Sequence, residues 1–263
     1  MPRILHLTDT HLVAPPGRVC GVLDTADLFQ QSISAVKAAL PRIGPIDAIL
    51  VTGDVSDDGS IESYELFRSM VEPLGLPLLV IPGNHDRREE MRKAFADLCL
   101  FSDTGRLDWV RDLDGLRIVG IDTLVEGSGG GVIEDTTLAF LETALGKAGP
   151  TILAMHHPPF SSGIRFMDDI GLKDIGGLQD ILRRATADIR ILCGHLHLTA
   201  TGSIGRFPAI VGPSTCSTFQ IDFRPDAPEG FFTGGGGFMI HDWSEGFRSM
   251  TIPAAIGNGP FPF

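Results

Sequence analysis

The chain has 263 residues, of which 43% are hydrophobic and 21% are charged, a composition typical of a soluble globular protein. Its formal net charge is −12, which argues against an extended nucleic-acid partner, because the surfaces that bind nucleic acid are basic. No apolar run reaches the roughly 18 residues of a membrane span, so no membrane association is predicted. This length can bury one sizeable core. We therefore expect a single domain over residues 1–263, with roughly the last ten residues as a flexible tail.

The N-terminus shows no basic segment followed by an apolar leader. The first apolar run, Ile4 to Leu7, leads directly into the polar residues Asp9 and His11, which leaves no room for a removable leader. A cytoplasmic location is the resulting expectation. No CxxC spacing is present, and we expect reduced thiols rather than disulfides for the cysteines Cys20, Cys99, Cys193 and Cys216.

Short apolar runs of strand length recur along the chain, and each ends abruptly in polar residues. In chain order, the predicted strands are residues 4–7, 48–52, 78–81, 116–121, 151–155 and 189–193. Helices are predicted from Asp24 or Thr25 to about Leu40, where Pro41 ends the helix, and over residues 60–71, 87–98, 135–145 and 176–185. Strands that alternate with helices indicate an α/β fold.

The last third of the chain has a different character, with short β-like runs and no clear helix. These runs are residues 198–204, 207–211, 217–221, 238–243 and 248–252. We interpret them as a second sheet that packs against the first. The glycine run at residues 234–237 and the C-terminal GPFPF sequence are expected to be mobile.

The polar residues that follow the predicted strands offer ligands for metal ions. They are Asp9, His11, Asp54, Asn84, His156, His195 and His197. Because ligands gather outside the carboxyl ends of strands in open α/β sheets, we expect these side chains to converge. Imidazoles combined with carboxylate oxygens suit zinc, manganese or iron. The set exceeds the needs of one tetrahedral ion, so two ions bridged by a carboxylate are expected, an arrangement suited to displacement at phosphorus.

Each of these motifs taken alone more often has a structural role. Gly53-Asp54 is a common turn pair, and the loop from Gly83 to Asp86 could be an ordinary turn. Their joint placement at strand ends favours the metal site. Outside the set, we expect packed core histidines at His6 and His241, a supporting or surface role for His157, either a ligand-orienting or a turn role for Asp122, and loop capping by Asp57 and Asp58.

The order and spacing of the motifs resemble those of the calcineurin-like metallophosphoesterase superfamily. The matching motifs are Asp9-x-His11, Gly53-Asp54, Gly83-Asn-His-Asp86, His156 and Gly194-His-x-His197. Four further stretches are similar to bacterial class III 3',5'-cyclic-nucleotide phosphodiesterases and related glycerophosphodiesterases: GVLD at 21–24, GDVSDDG at 53–59, MHHPP at 155–159, and CGHLH with GPSTCST after 193. The resemblance implies an α/β fold of the family's type, a four-layer αββα sandwich of two mixed β-sheets flanked by helices.

The resemblance also implies a role for each site residue. Asp9, His11 and His197 would hold one transition-metal ion, and Asn84, His156 and His195 would hold a second. Asp54 would bridge the two ions, which would be divalent or trivalent iron, manganese or zinc. His85 would be a catalytic residue that faces the substrate phosphate, and Asp86 would orient it.

The activity implied is that of a metal-dependent phosphodiesterase on small phosphodiesters, either cyclic nucleotides such as cAMP or glycerophosphodiesters, through attack by a metal-bound hydroxide. The family likeness is also compatible with a homo-oligomer. A phosphomonoesterase and a phosphonate or phosphotriester hydrolase would share the same site and stay open as alternatives. A non-catalytic scaffold is disfavoured, because the complete ligand set and His85 are present.

At two positions the sequence departs from the patterns of other subclasses of this superfamily, which disfavours those subclasses. Ser/Thr protein phosphatases carry an arginine where this chain has Asp58, and purple acid phosphatases carry a tyrosine ligand where it has Asp57. Substrate choice is expected to depend on loops around the site, with Phe166 and Met167 in the segment 161–173, Arg18 and the glycine-rich segment 127–131 as candidates.

Overall fold

A computed structural model describes residues 2–234 and 236–255. Residues 256–263 of the expected tail, and Gly235 of the glycine run, lie outside these described ranges. The helices are α1 (Thr25–Ile43), α2 (Ile61–Val71), α3 (Arg88–Ala94), α4 (Asp135–Ala144), α5 (Arg165–Asp169) and α6 (Gly176–Arg184), with 3-10 turns at Glu72–Leu74 and Ala96–Leu98. Between residues 2 and 255, no described helix combines the length and the apolar character needed to cross a bilayer.

Strands alternate with these helices in the first two thirds of the chain, and further strands follow α6. They are β1 (Arg3–Leu7), β2 (Ala48–Thr52), β3 (Leu78–Ile81), β4 (Trp109–Leu113), β5 (Leu116–Gly120), β6 (Gly131–Val132), β7 (Pro150–Ala154), β8 (Leu172–Lys173), β9 (Asp188–Cys193), β10 (Ala200–Ile204), β11 (Phe207–Val211), β12 (Ser217–Phe219), β13 (Phe231–Thr233), β14 (Gly237–Trp243) and β15 (Phe247–Pro253). All six strands predicted in this part of the chain are present, whereas β4 and the two-residue strands β6 and β8 were not predicted.

The helix boundaries follow local capping chemistry. The side chain of Asp24 accepts a hydrogen bond from the backbone N–H of Asp27 at 3.2 Å, which confirms the predicted start of α1. The predicted end at Leu40 is wrong, because α1 continues through Pro41 to Ile43. A proline this close to a helix end removes only one backbone donor, so the last turn can still form.

Two large mixed sheets form the centre of the molecule. The first has the strand order β15-β14-β1-β2-β3, and the second has the order β10-β11-β9-β7-β5-β4. The expectation that the late strands form a sheet of their own is wrong: β14 and β15 extend the first sheet beside β1, whereas β10 and β11 extend the second. The reason lies in β14, where residues Gly237 to Asp242 are all buried. A strand buried on both faces has to lie inside a packed sheet.

Alternating side chains of the second sheet face two different cores. In β7, Ile152 packs in the cluster that fills the space between the sheets and also contains Phe29 of α1. The next residue, Leu153, packs in the cluster that contains Leu141 of α4 and Leu178 of α6. Helices therefore cover the outer face of each sheet, which confirms the four-layer sandwich.

Close packing between the sheets predicts a large effect at one glycine of β5. A Cβ at Gly120 would overlap the Trp109 ring and lie 2.7 Å from Cγ2 of Ile81 in the first sheet. Gly120→Ala should therefore lower the free energy of unfolding in urea by about 1–3 kcal/mol or more. Gly176→Ala, at the open start of α6 with no atom within 4 Å of the new Cβ, is the matched control and should not destabilise. Equal stability of the two variants would contradict this account of the packing.

Candidate metal centre

The carboxyl ends of strands from both sheets meet at one edge of the sandwich. Asp9 and His11 follow β1, Asp54 follows β2, and Asn84 follows β3 in the first sheet. From the second sheet, His156 follows β7, while His195 and His197 follow β9. The structure thus brings together all the ligands expected from the sequence, in two groups that adjoin at Asp54.

The first group consists of Asp9, His11, Asp54 and His197, whose potential ligand atoms all lie within 4.8 Å of one another. Nε2 of His11 lies 2.9 Å from Nε2 of His197 and 3.4 Å from Oδ2 of Asp54. All four side chains are buried. This set of two imidazoles and two carboxylates matches the donors of a divalent transition-metal site.

The second group surrounds the amide of Asn84. Its Oδ1 lies 3.1 Å from Nε2 of His156 and 3.0 Å from Nδ1 of His195. Nε2 of His156 is also 3.3 Å from Oδ2 of Asp54. Oδ2 of Asp54 is therefore close to an imidazole of each group, which is the position that a bridging ligand requires.

The hydrogen bonds around Asp54 test whether metal ions fit the site. Nδ1 of His11 lies 3.0 Å from a carboxylate oxygen of Asp57, and Nδ1 of His156 lies 2.8 Å from the carbonyl oxygen of Thr52. Both partners can only accept, so each ring donates a hydrogen from Nδ1 and turns Nε2 toward the same oxygen of Asp54. In the neutral form of the ring, Nε2 carries the lone pair that binds a metal ion. A cation between these nitrogens and the carboxylate oxygen suits both, and the residues fit divalent metal ions.

Other side chains hold the ligand rings in orientation. His197 is bonded through Nδ1 to Oγ of Ser217 at 3.0 Å, and its ring stacks on Phe219 at 4.2 Å between centroids. Oδ2 of Asp9 accepts a hydrogen bond from Thr8 at 2.7 Å. Such outer contacts fix the tautomer and direction of a ligand imidazole. Nε2 of His195 is the exception, because it is buried without a hydrogen-bond partner in the described part of the chain.

Burial and the neighbouring charges set the protonation of the group. Burial lowers the pKa of His195 and of His197 well below the ordinary value, which keeps both rings in the neutral form that binds metals. For Asp54, burial acts to raise the pKa, but His156 and the other imidazoles outweigh it and hold the pKa well below its usual range. Burial likewise opposes protonation of His156, yet attraction to Asp54 raises the pKa of His156 to about 9.

The backbone at the site adopts conformations that are uncommon for residues with side chains. Among the described residues, five of the nine non-glycine residues with positive φ belong to the expected ligand set: Asp9, His11, Asp54, His195 and His197. Such conformations cost about 1–3 kcal/mol each and concentrate at functional sites. Gly194 allows close approach here, because a Cβ at that position would overlap Thr8 and lie 2.7 Å from Oδ2 of Asp9.

The structure corrects the expected partner of His85. The carboxylate of Asp86 accepts hydrogen bonds from the backbone N–H groups of Val55, Ser56 and Gly83 and from the hydroxyl of Tyr64, so it braces the loops rather than orienting His85. Burial and the charge of Asp54 raise the pKa of Asp86 to about 6.

Asp57 is the carboxylate that contacts His85, and the sequence interpretation missed its role. Its Oδ1 lies 3.2 Å from Nδ1 of His85 and 3.0 Å from Nδ1 of His11. Burial acts to raise the pKa of Asp57, but hydrogen bonds from these two rings lower it. For His85, burial acts to lower the pKa, but attraction to Asp54 and the contacts with Asp57 raise it to about 10. The sequence signal was present, as the carboxylate three residues after Asp54 in GDVSD.

The remaining candidates have structural partners. His157 is buried, with Nδ1 bonded to Thr123 at 2.8 Å and Nε2 to the carbonyl of Gly129 at 3.1 Å, so it has no free ligand nitrogen although its ring lies beside His195. Asp122 is bonded to the guanidinium groups of Arg88 and Arg106. Its ligand-orienting alternative has no support in these contacts. His6 and His241 are buried and hydrogen-bonded, as expected.

A cavity of about 160 Å³ opens onto both ligand groups. Its outer walls are mostly apolar and come from three segments of the chain: Val19, Cys20 and Leu23; Met167 and Ile170; and Cys216, Phe219 and Phe231. Met167 was among the loop residues expected near the substrate. Neither lysine nor arginine is among the described residues that line this cavity, and His85 is the cationic group outside the ligand set.

Known proteins with similar sequences are cyclic-nucleotide or glycerophosphodiester phosphodiesterases by name. Residues 2–198 match the family model described as calcineurin-like phosphoesterase. The chain is 36% identical to the 3',5'-cyclic adenosine monophosphate phosphodiesterase CpdA of Pseudomonas aeruginosa, over 95% of this chain and 85% of that protein. It is 34% identical to a cAMP/cGMP dual specificity phosphodiesterase of Mycobacterium tuberculosis, over 97% of this chain and 80% of that protein. It is 33% identical to the glycerophosphodiester phosphodiesterase GpdQ of Enterobacter lignolyticus, over 79% of this chain and 77% of that protein.

Solved structures share the fold at low sequence identity. A purple acid phosphatase from yellow lupin seeds superposes with a TM-score of 0.63 at 16% identity, over 91% of this chain and 49% of that one. GAP50 of Plasmodium superposes with a TM-score of 0.61 at 15% identity, over 98% of this chain and 86% of that one. The ligand set at the strand ends, the two-sheet sandwich and the family match lead to the same assignment. The chain belongs to the calcineurin-like phosphoesterase family.

Proposed function

We propose that this protein is a dinuclear metal-dependent phosphodiesterase that hydrolyses small phosphodiesters, either 3',5'-cyclic nucleotides such as cAMP or glycerophosphodiesters. The observation that carries the proposal is the pair of ligand groups that share Asp54 at the base of one cavity. The named activities of the relatives support the substrate class. We also propose a cytoplasmic location, with which the four free cysteines agree.

Two transition-metal ions are part of the proposal, with iron, manganese and zinc as the ions that suit these donors. Asp9, His11 and His197 would hold one ion, Asn84, His156 and His195 the other, and Asp54 both. When bound, such ions neutralise charge on phosphoryl oxygens and lower the pKa of water toward neutrality.

His85 is the proposed catalytic residue for the leaving group. It lines the cavity, its side chain is 40% exposed, and its ring contacts that of His11 edge-on at 4.6 Å between centroids. The backbone carbonyl oxygen of Asp57 accepts the hydrogen of Nδ1 at 3.2 Å, and the Asp57 carboxylate lies at the same distance. These contacts direct Nε2 away from Asp57 and leave it to donate a proton to the departing alkoxide oxygen. Asp57 is a positioning residue in this scheme.

The charges of the cavity favour diesters over monoesters. A phosphodiester carries one negative charge, whereas a phosphomonoester carries close to two at neutral pH. The described lining offers no lysine or arginine to pair with the additional charge, and it includes the carboxylates of Asp54 and Asp57. The apolar walls around Leu23, Met167 and Phe231 can accept a base or an alkyl group of the ester.

Relative rates on matched substrates test the proposed reaction. Protein loaded with Mn²⁺ should hydrolyse bis(p-nitrophenyl) phosphate with a kcat/KM at least about tenfold above that for p-nitrophenyl phosphate, a difference of about 1.4 kcal/mol in barrier. It should also hydrolyse cAMP or a glycerophosphodiester, and the rates on these two decide between the physiological classes. Absence of turnover on all three diesters would overturn the proposal, and a faster monoester would identify a phosphomonoesterase.

Substitution of His85 should separate catalysis from metal binding. His85→Ala should slow turnover of bis(p-nitrophenyl) phosphate by about 10²–10⁴-fold, because a general acid is lost, while metal content by elemental analysis stays near that of the wild type. Asp54→Ala serves as the contrasting variant and should lose both metal and turnover. If His85→Ala lost metal to the same extent, His85 would have to be assigned to the ligand set instead.

Asp57 should influence both metal affinity and turnover through the two imidazoles that it contacts. Asp57→Ala should weaken Mn²⁺ affinity or activity by about 10–100-fold, the usual effect of removing the partner of a ligand histidine. Asp58→Ala is the matched control, because Asp58 bonds Ser56 and the backbone N–H of Ser60 rather than an imidazole. Titration of metal-free protein against a chelator measures the affinity. Equal effects of the two substitutions would indicate a general disturbance of the loop.

A further inference from the structure

Two histidines outside the metal centre form a buried pair between strands of the first sheet. His6 in β1 and His241 in β14 are 1% and 0% exposed, respectively. Nδ1 of His6 lies 3.1 Å from Nε2 of His241. The mechanism proposed above uses neither ring, although both lie in the densely packed space between the sheets, where a Cβ at Gly212 would come within 2.9 Å of the His6 ring.

The pair belongs to a hydrogen-bonded chain that crosses the first sheet. At one end, Nε2 of His6 lies 2.8 Å from the hydroxyl of Thr52 in β2. At the other end, Nδ1 of His241 lies 2.8 Å from the hydroxyl of Ser249 in β15. Ser249 in turn accepts a hydrogen bond from Arg190 of the second sheet at 3.3 Å. The chain thus connects four adjacent strands of one sheet and reaches a strand of the other.

Both rings are neutral, which couples their hydrogen positions. Burial lowers the pKa of His6 to about 3 and lowers the pKa of His241 well below its ordinary value. A neutral imidazole donates from one nitrogen and accepts at the other. With both nitrogens of each ring bonded, either both rings carry the hydrogen on Nδ1 or both carry it on Nε2. The hydrogen bonds between Thr52, His6, His241 and Ser249 are therefore all made only when both rings adopt the same tautomer.

Thr52 links this chain to the metal centre. Its carbonyl oxygen accepts the Nδ1 hydrogen of His156 at 2.8 Å, and that bond aims the other nitrogen of His156 at Asp54. Thr52 also directly precedes Gly53 and Asp54, where φ is 94° and 48°. Uncommon conformations of this kind persist where neighbouring contacts over-determine them. The bond from His6 to the Thr52 hydroxyl is one such contact.

Polar groups at these positions carry a cost that apolar residues would avoid. Burying a hydrogen-bonding group is unfavourable unless every partner is present. The other fully buried residues of β1 are apolar, namely Ile4, Leu5 and Leu7. A role in holding the end of β2 explains why imidazoles occupy both positions.

We propose that His6 and His241 are positioning residues for the metal centre: through the hydroxyl of Thr52 they hold the turn that presents Asp54 and the carbonyl group that orients His156. The proposal rests on the proposed metal-dependent function, because it concerns ligands of that same site. Neither histidine lines the substrate cavity, so loss of the pair would loosen the ligands without removing any group from the cavity wall or from the expected ligand set.

Replacement of His241 by an aromatic ring of similar size tests the proposal. His241→Phe leaves Nδ1 of His6 without its partner, and it should weaken Mn²⁺ affinity of the metal-free protein by about 10–100-fold, as loss of an outer partner typically does. With bis(p-nitrophenyl) phosphate, kcat should fall while KM changes little, because the cavity walls are untouched. Thr137→Val is the matched control: it removes a partly buried hydrogen bond from α4 to Asp108, and it should lower thermal stability while leaving Mn²⁺ affinity unchanged.

The outcomes distinguish this proposal from the proposed function. If His241→Phe lowers thermal stability as much as Thr137→Val does, and Mn²⁺ affinity and kcat stay at wild-type values, the positioning role is overturned. If the wild type binds Mn²⁺ but hydrolyses no diester, the proposed function fails, whereas the affinity comparison still tests the pair. Should His241→Phe not fold, it is replaced by Ser249→Ala, which removes the half-buried hydroxyl that bonds Nδ1 of His241. In Ser249→Ala, a shift of the His6 and His241 imidazole ¹⁵N signals together with weaker Mn²⁺ binding supports the positioning role. Shifted signals with unchanged Mn²⁺ binding overturn it.

Discussion

The structure depends on an arrangement of imidazole nitrogens around one carboxylate oxygen of Asp54. Nε2 of His11 and Nε2 of His156 lie 3.4 Å and 3.3 Å from this oxygen, an approach that requires positive charge. Although burial opposes it, attraction to Asp54 raises the pKa of His156 to about 9, so a proton on His156 supplies that charge, and a metal ion would supply it in place of the proton. His11 follows a strand of the first sheet and His156 follows a strand of the second. A metal ion held by these residues would therefore join the two halves of the sandwich, and ions that bind only the folded chain stabilise it by mass action. Metal binding would then also stabilise the packing of the two sheets against each other.

The loops that carry the expected ligands contain the strained backbone conformations of the site. Positive φ angles at ligand positions have to be held by contacts from elsewhere in the chain. Asp86 supplies several of these contacts, because it accepts from backbone N–H groups on both sides of the gap between the loops after β2 and β3. Ser214 supplies another, by donating to the carbonyl oxygen of Asp9 at 2.8 Å. The aspartate of the Gly-Asn-His-Asp sequence, Asp86, is thus explained by backbone support rather than by contact with His85.

The sequence predicted the fold class and the location of the site because both depend on local patterns. Apolar runs that end in polar residues identified the strands whose carboxyl ends converge, and the motif spacing identified the side chains that the structure brings together there. What it could not predict depends on contacts between distant segments. The partner of His85 was misassigned to Asp86 instead of Asp57, because the choice depends on how two loops face each other. The pair of His6 and His241 joins positions 235 residues apart, and it exists only because β14 lies beside β1, a strand order that apolar patterns leave open.

Substrate choice at this site follows from charge as much as from shape. The protein carries a formal net charge of −12, and the described lining of the cavity includes carboxylates but neither lysine nor arginine. Attraction of an anion therefore has to come from bound ions and from His85. Asp58, at the position where protein phosphatases carry an arginine, is bonded to Ser56 and to the backbone N–H of Ser60, so no guanidinium replaces that missing charge. A singly charged diester can be neutralised by the ions alone, whereas the further charge of a monoester would lie among carboxylates and apolar walls without a cationic partner.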